Sequence, residues 1–128
     1  RDLARHVRPR LETLRALGEP GVWEGIARAC GRLADGIGEA AADAGVAGQP
    51  TRAGTMFGFF FTDSPIRSWE DAKGADTDRF AAFHRAMLNC GVYLPPSQYE
   101  SWFLSSAHGD IEIDATIAAA SEAFASLV

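Results

Sequence analysis

Cysteine is scarce in this sequence of 128 residues: only Cys30 and Cys90 are present. They stand far apart, each among small and apolar residues of a predicted helix. That placement argues against a disulfide framework and predicts two free, buried thiols. The three histidines, His6, His84 and His108, have no spacing that pairs them with one another or with the cysteines as metal ligands, so no metal site is expected. No apolar run approaches the ~20 residues that cross a bilayer, and the charged start RDLARHVRPR lacks the apolar segment of a secretory signal. The expectation is a soluble, cytoplasmic protein with no membrane partner. Catalytic motifs are missing too: there is no Ser/His/Asp elbow, no phosphate-cradling GxxxxGK, no HExxH and no close pair of carboxylates in a predicted pocket. Spacing alone therefore assigns no catalytic residue.

Positive charge is concentrated at one end. Residues 1 to 10 hold four arginines against Asp2, a local +3 that leaves −8 on the rest of a chain whose net charge is −5. Without interleaved aromatics or a nucleic-acid motif, such a run reads as a solvated terminus, and the acidic remainder repels polyanions. No nucleic-acid partner is expected.

The chain is 47% hydrophobic, enough for one compact domain with its own core. Residues 1–18 read as a basic arm and a connecting helix, LETLRAL, stopped at Gly18. Residues 19–128 read as the domain proper. Pro20 suits a first helical position, and Val22, Ile26, Ala29, Cys30, Leu33, Ile37, Ala40 and Ala44 then recur every three or four residues down one long helix that ends at Gly45. Its interior glycines, Gly25, Gly31, Gly36 and Gly38, each cost ~1 kcal/mol relative to alanine, so burial of the stripe must hold it together.

That stripe needs a surface to cover, and TMFGFFFT (55–62) supplies one. Phe57, Phe59 and Phe61 fall on one face of a strand and Met56 and Phe60 on the other, as a central strand requires. AGQPTRAG (47–54) reads as a strand or loop beside it, and TDSPIRSWED as an irregular connection. Asp76 caps a further helix with Phe80, Phe83, Met87 and Leu88 buried and Gly91 at its end. Val92 to Leu94 then extend until Pro95 and Pro96 stop them. Residues 99–104 extend again, with Glu100, Trp102 and Leu104 on one side. A closing helix from Gly109 or Asp110 carries Ile113, Ile117, Ala120, Phe124 and Leu127. The predicted class is α+β: a small, mostly antiparallel sheet of three to four strands covered mainly on one face by helices. Trp23, Trp69 and Trp102 read as core or lid residues. Glu100, a lone carboxylate among the aromatics of GVYLPPSQYESWFLSSAH, is either a solvated strand residue or the anion of a binding site.

Three stretches, GTMFGFFFTDSPI (54–66), WEDAKGADTDRFAAFHRAMLNCGVYLPPSQYESWFLSSAH (69–108) and the closing helix, give the chain a specific likeness. It resembles the carboxy-terminal small domain of the glutamate-1-semialdehyde 2,1-aminomutases, fold-type-I pyridoxal-phosphate enzymes of the class III aminotransferase group. Residues 1–10 depart from that family's small and apolar pattern. The resemblance implies an isomerase fragment. The complete enzyme converts glutamate-1-semialdehyde to 5-aminolevulinate in tetrapyrrole biosynthesis, by way of a diamine, and is expected to be a homodimer.

The family's Schiff-base lysine and phosphate site belong to a large domain that these residues do not contain. Lys73, the only lysine, lies in EDAKGAD and reads as a surface residue. The chain alone is therefore expected to be inactive and to hold no pyridoxal phosphate. Within the resemblance, Glu100 is the candidate substrate-binding residue, attracting an ammonium of the diamine where related transaminases place an arginine for a carboxylate; Ser97 and Gln98 are further candidates for the same rim. Two alternatives stay open: a fragment of an ordinary class III aminotransferase, and a free-standing α+β interaction or ligand-sensing domain.

Overall fold

A computed structural model of the protein describes residues 3–128, with side chains from Val7 onward. Arg1, Asp2 and the side chains of residues 3–6, which belong to the basic arm, lie outside the described residues. The elements in chain order are α1 (Leu3–Leu17), α2 (Val22–Asp43), β1 (Gln49–Ala53), β2 (Met56–Phe60), α3 (Trp69–Lys73), α4 (Thr77–Asn89), β3 (Trp102–Phe103) and α5 (Asp110–Ala125). The class is α+β, as the sequence predicts. No helix among the described residues is long and apolar enough to cross a membrane.

Helix α1 begins eight residues before LETLRAL and runs through Pro9, so the described part of the arm is helical. Val7, Leu11 and Leu14 remain exposed along it. Helix α2 starts after Gly21, leaving Pro20 in the preceding turn, and ends as expected beside a left-handed Gly45 (φ 69°). Its predicted stripe is the core stripe: Ile26, Cys30, Leu33, Ile37 and Ala40 are all buried. One of its glycines has a steric reason. A Cβ on Gly36 would stand 2.5 Å from Cδ1 of Ile117, so the missing side chain lets α5 lie close against α2.

The sheet is antiparallel in the order β1-β2-β3, with β2 central as predicted. Pro50 faces Phe59 and Arg52 faces Phe57 across the hairpin, while Met56 and Phe57 pair with Phe103 and Trp102. Helices cover one face only. On that side Phe59, Phe61, Phe83 and Phe124 form a single aromatic cluster, in which Phe83 and Phe124 stack at 4.5 Å with 19° between their planes. Burying a phenylalanine in this way contributes roughly 1.5–3 kcal/mol, which sets this cluster above any single polar contact in the molecule. The opposite face, carrying Met56 and Phe60, is left open.

Several sequence expectations need correction. Val92–Leu94 does not pair as a strand; it is a coil held by a hydrogen bond between His84 Nε2 and the Leu94 carbonyl at 3.0 Å. Of residues 99–104, only Trp102 and Phe103 are strand. The connection after β2 contains α3, whose start is capped by Ser68 accepting from the Asp71 N–H. Leu88 is half exposed, and Cys90, predicted buried, is exposed because it caps α4 at its solvent end; both cysteines are free. Trp102 is core, whereas Trp23 and Trp69 are largely exposed.

Candidate functional site on the open sheet face

Alternation along β1 and β2 sends Thr51, Ala53, Met56, Gly58 and Phe60 to the face that no helix covers. Arg52 goes the other way, its guanidinium lying over Gly31 of α2. The segment PPSQYE borders the open face as a turn. Ser97 organises it: its carbonyl accepts from the Glu100 N–H at 3.1 Å and its Oγ accepts from the Tyr99 N–H at 3.2 Å. The successive side chains then diverge. Gln98 turns inward and is 3% exposed, Tyr99 turns outward against Trp69 with ring centroids 5.1 Å apart, and Glu100 ends the turn exposed.

Between turn and sheet lies a hollow of about 240 Å³, floored by Met56, Gly58 and Phe60 and bordered by Gln98, Tyr99 and Glu100. A second hollow, of about 430 Å³, lies between Leu94, Pro95, Trp102 and His108, and Glu100 borders this one as well. Glu100 thus borders two partly apolar recesses. Gln98 Nε2 donates to the Ala75 carbonyl at 3.5 Å; Gln98 Oε1 and Trp102 Nε1 are the buried side-chain polar atoms without a partner among the described residues.

The three candidates from the sequence therefore lie together but do different things. Glu100 offers an exposed carboxylate, Ser97 uses its hydroxyl oxygen in the turn, and Gln98 is a buried strut. The strand expected to carry Glu100 is absent at that position; alternation from Trp102 would have turned the carboxylate inward with the indole, and the turn frees it from that pairing. Periodicity could not find Met56, Phe60, Tyr99 and Trp69 as parts of the surface, since it assigned them as strand filling and lid. Gln98 carries no patterned sign of burial. Among the described residues, no group of three histidine, cysteine or acidic side chains is arranged to hold a metal ion.

No family model matches the chain. Among curated proteins it is 49% identical over 117 residues to the glutamate-1-semialdehyde 2,1-aminomutase of Desulfosudis oleivorans, covering 91% of this chain and 27% of that protein. It is 49% identical over 115 residues to that of Roseiflexus castenholzii, with 90% of this chain and 26% of the relative covered. The chain is a homologue of part of these aminomutases. It spans about a quarter of the length of the curated relatives it matches.

Solved structures agree on the fold. The FumI protein of Sphingopyxis sp. MTA144, in its PLP internal aldimine form, superposes with a TM-score of 0.71 at 27% identity, covering 91% of this chain and 25% of its own. An omega-transaminase from Sphaerobacter thermophilus gives 0.70 at 24% identity over 86% of this chain and 25% of its own, a likeness of fold. The family resemblance and the α+β small-domain expectation are both borne out. The residues described in this aminomutase homologue do not themselves fit pyridoxal phosphate. Lys73, the only lysine, is half exposed at the end of a five-residue helix and paired with Glu70 at 2.7 Å. A Schiff-base lysine needs a desolvated pocket, and Lys73 lies on the surface with its ammonium on Glu70.

Proposed function

We propose that the chain is the carboxy-terminal, small-domain part of a glutamate-1-semialdehyde 2,1-aminomutase, the isomerase that makes 5-aminolevulinate for tetrapyrrole biosynthesis. The observation that carries this reading is identity of 49% sustained over nine-tenths of the chain. The open sheet face supports it, because an isolated domain seldom leaves a floor such as Met56 and Phe60, with Tyr99 and Trp69 beside it, uncovered. In this proposal a large domain bearing the pyridoxal phosphate covers that side, the complete enzyme is a cytoplasmic homodimer, and the chain alone is inactive. Glu100 attracts an ammonium group of the substrate or diamine at the mouth of the site. An ordinary class III aminotransferase calls for a carboxylate-pairing arginine there, and the turn has none.

The test is a chimaera. Residues 3–128 replace the matching segment of the Geobacillus kaustophilus aminomutase 2, which is 49% identical over 116 residues and covered to 27% of its length. Formation of 5-aminolevulinate by the chimaera is the expected result; a folded chimaera that only exchanges amino groups between separate molecules would instead mark a transaminase piece. A charge-assisted hydrogen bond contributes about 1.5–3 kcal/mol, so Glu100→Gln should lower kcat/KM roughly ten- to a hundredfold. The chain alone, mixed with pyridoxal phosphate, should give neither a borohydride-trappable adduct at Lys73 nor turnover.

A further inference from the structure

Gln98 is the one buried polar residue among those described. Its neighbours in space explain why a polar side chain is useful there. Its amide donates a long hydrogen bond, at 3.5 Å, to the carbonyl of Ala75, 23 positions earlier in the chain, at the junction between α3 and α4. That junction is itself fixed, because the Ala75 N–H donates to the Ala72 carbonyl and the Asp76 N–H donates to the Phe61 carbonyl at 2.9 Å, just past the end of β2. Two residues after Glu100, Trp102 is buried against Phe57, with which it pairs in the sheet. Glu100 is therefore held between two inward anchors, one on either side, while its own side chain stays exposed. Apolar packing alone would not call for an amide here, since Gln98 Oε1 is buried without a partner; a methionine of the same length would avoid that orphaned oxygen. What the amide adds is direction, fixing the turn to a backbone carbonyl at one place.

We propose that Gln98 is a positioning residue, which holds the 95–100 turn against the α3–α4 junction so that the Glu100 carboxylate stands over the open-face hollow to receive an alkylammonium group. This rests on the reading above that Glu100 meets an ammonium. Gln98 acts through Glu100 and has no contact with the ligand.

The experiment uses the full chain, labelled for carboxylate and amide NMR, and propane-1,2-diamine as probe. The wild-type Glu100 carboxylate resonance should shift saturably and the shift should vanish in Glu100→Gln. Gln98→Met should keep the wild-type fold with an equal or higher Tm, yet weaken the diamine at least fivefold and raise the mobility of residues 97–100 in 15N relaxation. Gln98→Asn, a methylene short of Ala75, should also weaken binding, and it stands in if the methionine variant does not fold. Wild-type-like binding and order in these variants would overturn the positioning role while leaving the ammonium reading in place. Weakened binding accompanied by a lowered Tm in both variants would make Gln98 a stability residue only, and also overturn the proposal. No saturable shift in the wild type would remove the ammonium reading and the proposal with it.

Discussion

Gly48 and Phe59 occupy each other's space: a Cβ on Gly48 would fall 2.0 Å from Cζ of the Phe59 ring. The ring cannot swing aside, since it is buried against Phe61, Phe83 and Phe124. Gly48→Ala should therefore overpack the core and cost about 3 kcal/mol, at the upper end of what an added methyl exacts in a filled interior. Gly58→Ala is the control, because its added Cβ meets only Thr51 Oγ1, at 3.6 Å. Urea titrations of both variants measure the difference, and a Gly48→Ala loss below about 1 kcal/mol would mean that the ring has room to move.

Helix α4 depends on its first residue outside the helix. Asp76 Oδ1 accepts from the N–H groups of Asp78 and Arg79 at 3.0 and 2.9 Å, satisfying two donors that have no partner within the helix. Asp76→Ala should cost about 1 kcal/mol, and Asp76→Asn much less, since asparagine caps about as well. The same helix carries Phe83 and Met87 into the core, so the loss should appear in global unfolding and not as local fraying.

The contrast between α4 and the turn before β3 shows which parts of the molecule could be read in advance. In α4 the cap, the 3.6-residue stripe of Phe80, Phe83 and Met87 and the closing Gly91 all point to the same element, and it forms with those limits. The stripe of α2 and the parity of Phe57, Phe59 and Phe61 were legible for the same reason: a buried face imposes a period on the sequence. Glu100 had no such period. It follows a turn set by Ser97 and anchored through Gln98 to a carbonyl far away in sequence, and long-range anchoring of that kind leaves no periodic trace. Leu88 and Cys90 were misassigned by residue type, since their neighbours on the helix are buried and they are not. That helices cover the sheet mainly on one face was legible; that Met56 and Phe60 floor a surface was not, because they look like core residues until the covering element is seen to be absent among the described residues.

Asp71 should report on the start of α3 through its titration. The Arg67 N–H, at 3.0 Å, and the Ser68 hydroxyl, at 2.9 Å, hold its carboxyl below the ordinary carboxylate value, the Arg67 backbone bond being the larger cause. A depressed folded-state pKa stabilises the structure above the unfolded value, about 3.9, and the contribution is lost as pH falls through the folded one. The α3 cap should thus be intact at pH 5 and above and loosen only in stronger acid. Carboxylate NMR shifts of Asp71, followed together with the Arg67 amide, test this; an Asp71 midpoint at or above the ordinary value would contradict it.

Cys90 and Cys30 should differ in access and share a reluctance to ionise. Burial raises the Cys30 thiol pKa, and its side chain donates to the Thr55 carbonyl at 3.4 Å, so it should resist a thiol reagent until the chain unfolds. Cys90 is open to solvent, yet its thiol pKa is also raised, first by local desolvation and then by the Glu122 carboxylate, toward which its Sγ donates at 3.7 Å. Because the thiolate is the nucleophile, a raised pKa means slow alkylation at neutral pH. One thiol should therefore react in the native chain, more slowly than free cysteine. Glu122→Gln removes the negative charge that disfavours the thiolate, so it should move the Cys90 pKa down and speed the reaction, leaving the Cys30 rate unchanged. Iodoacetamide kinetics against pH, with the modified site located by mass spectrometry, would decide it: an unchanged Cys90 profile in Glu122→Gln would leave desolvation as the sole cause of the shift.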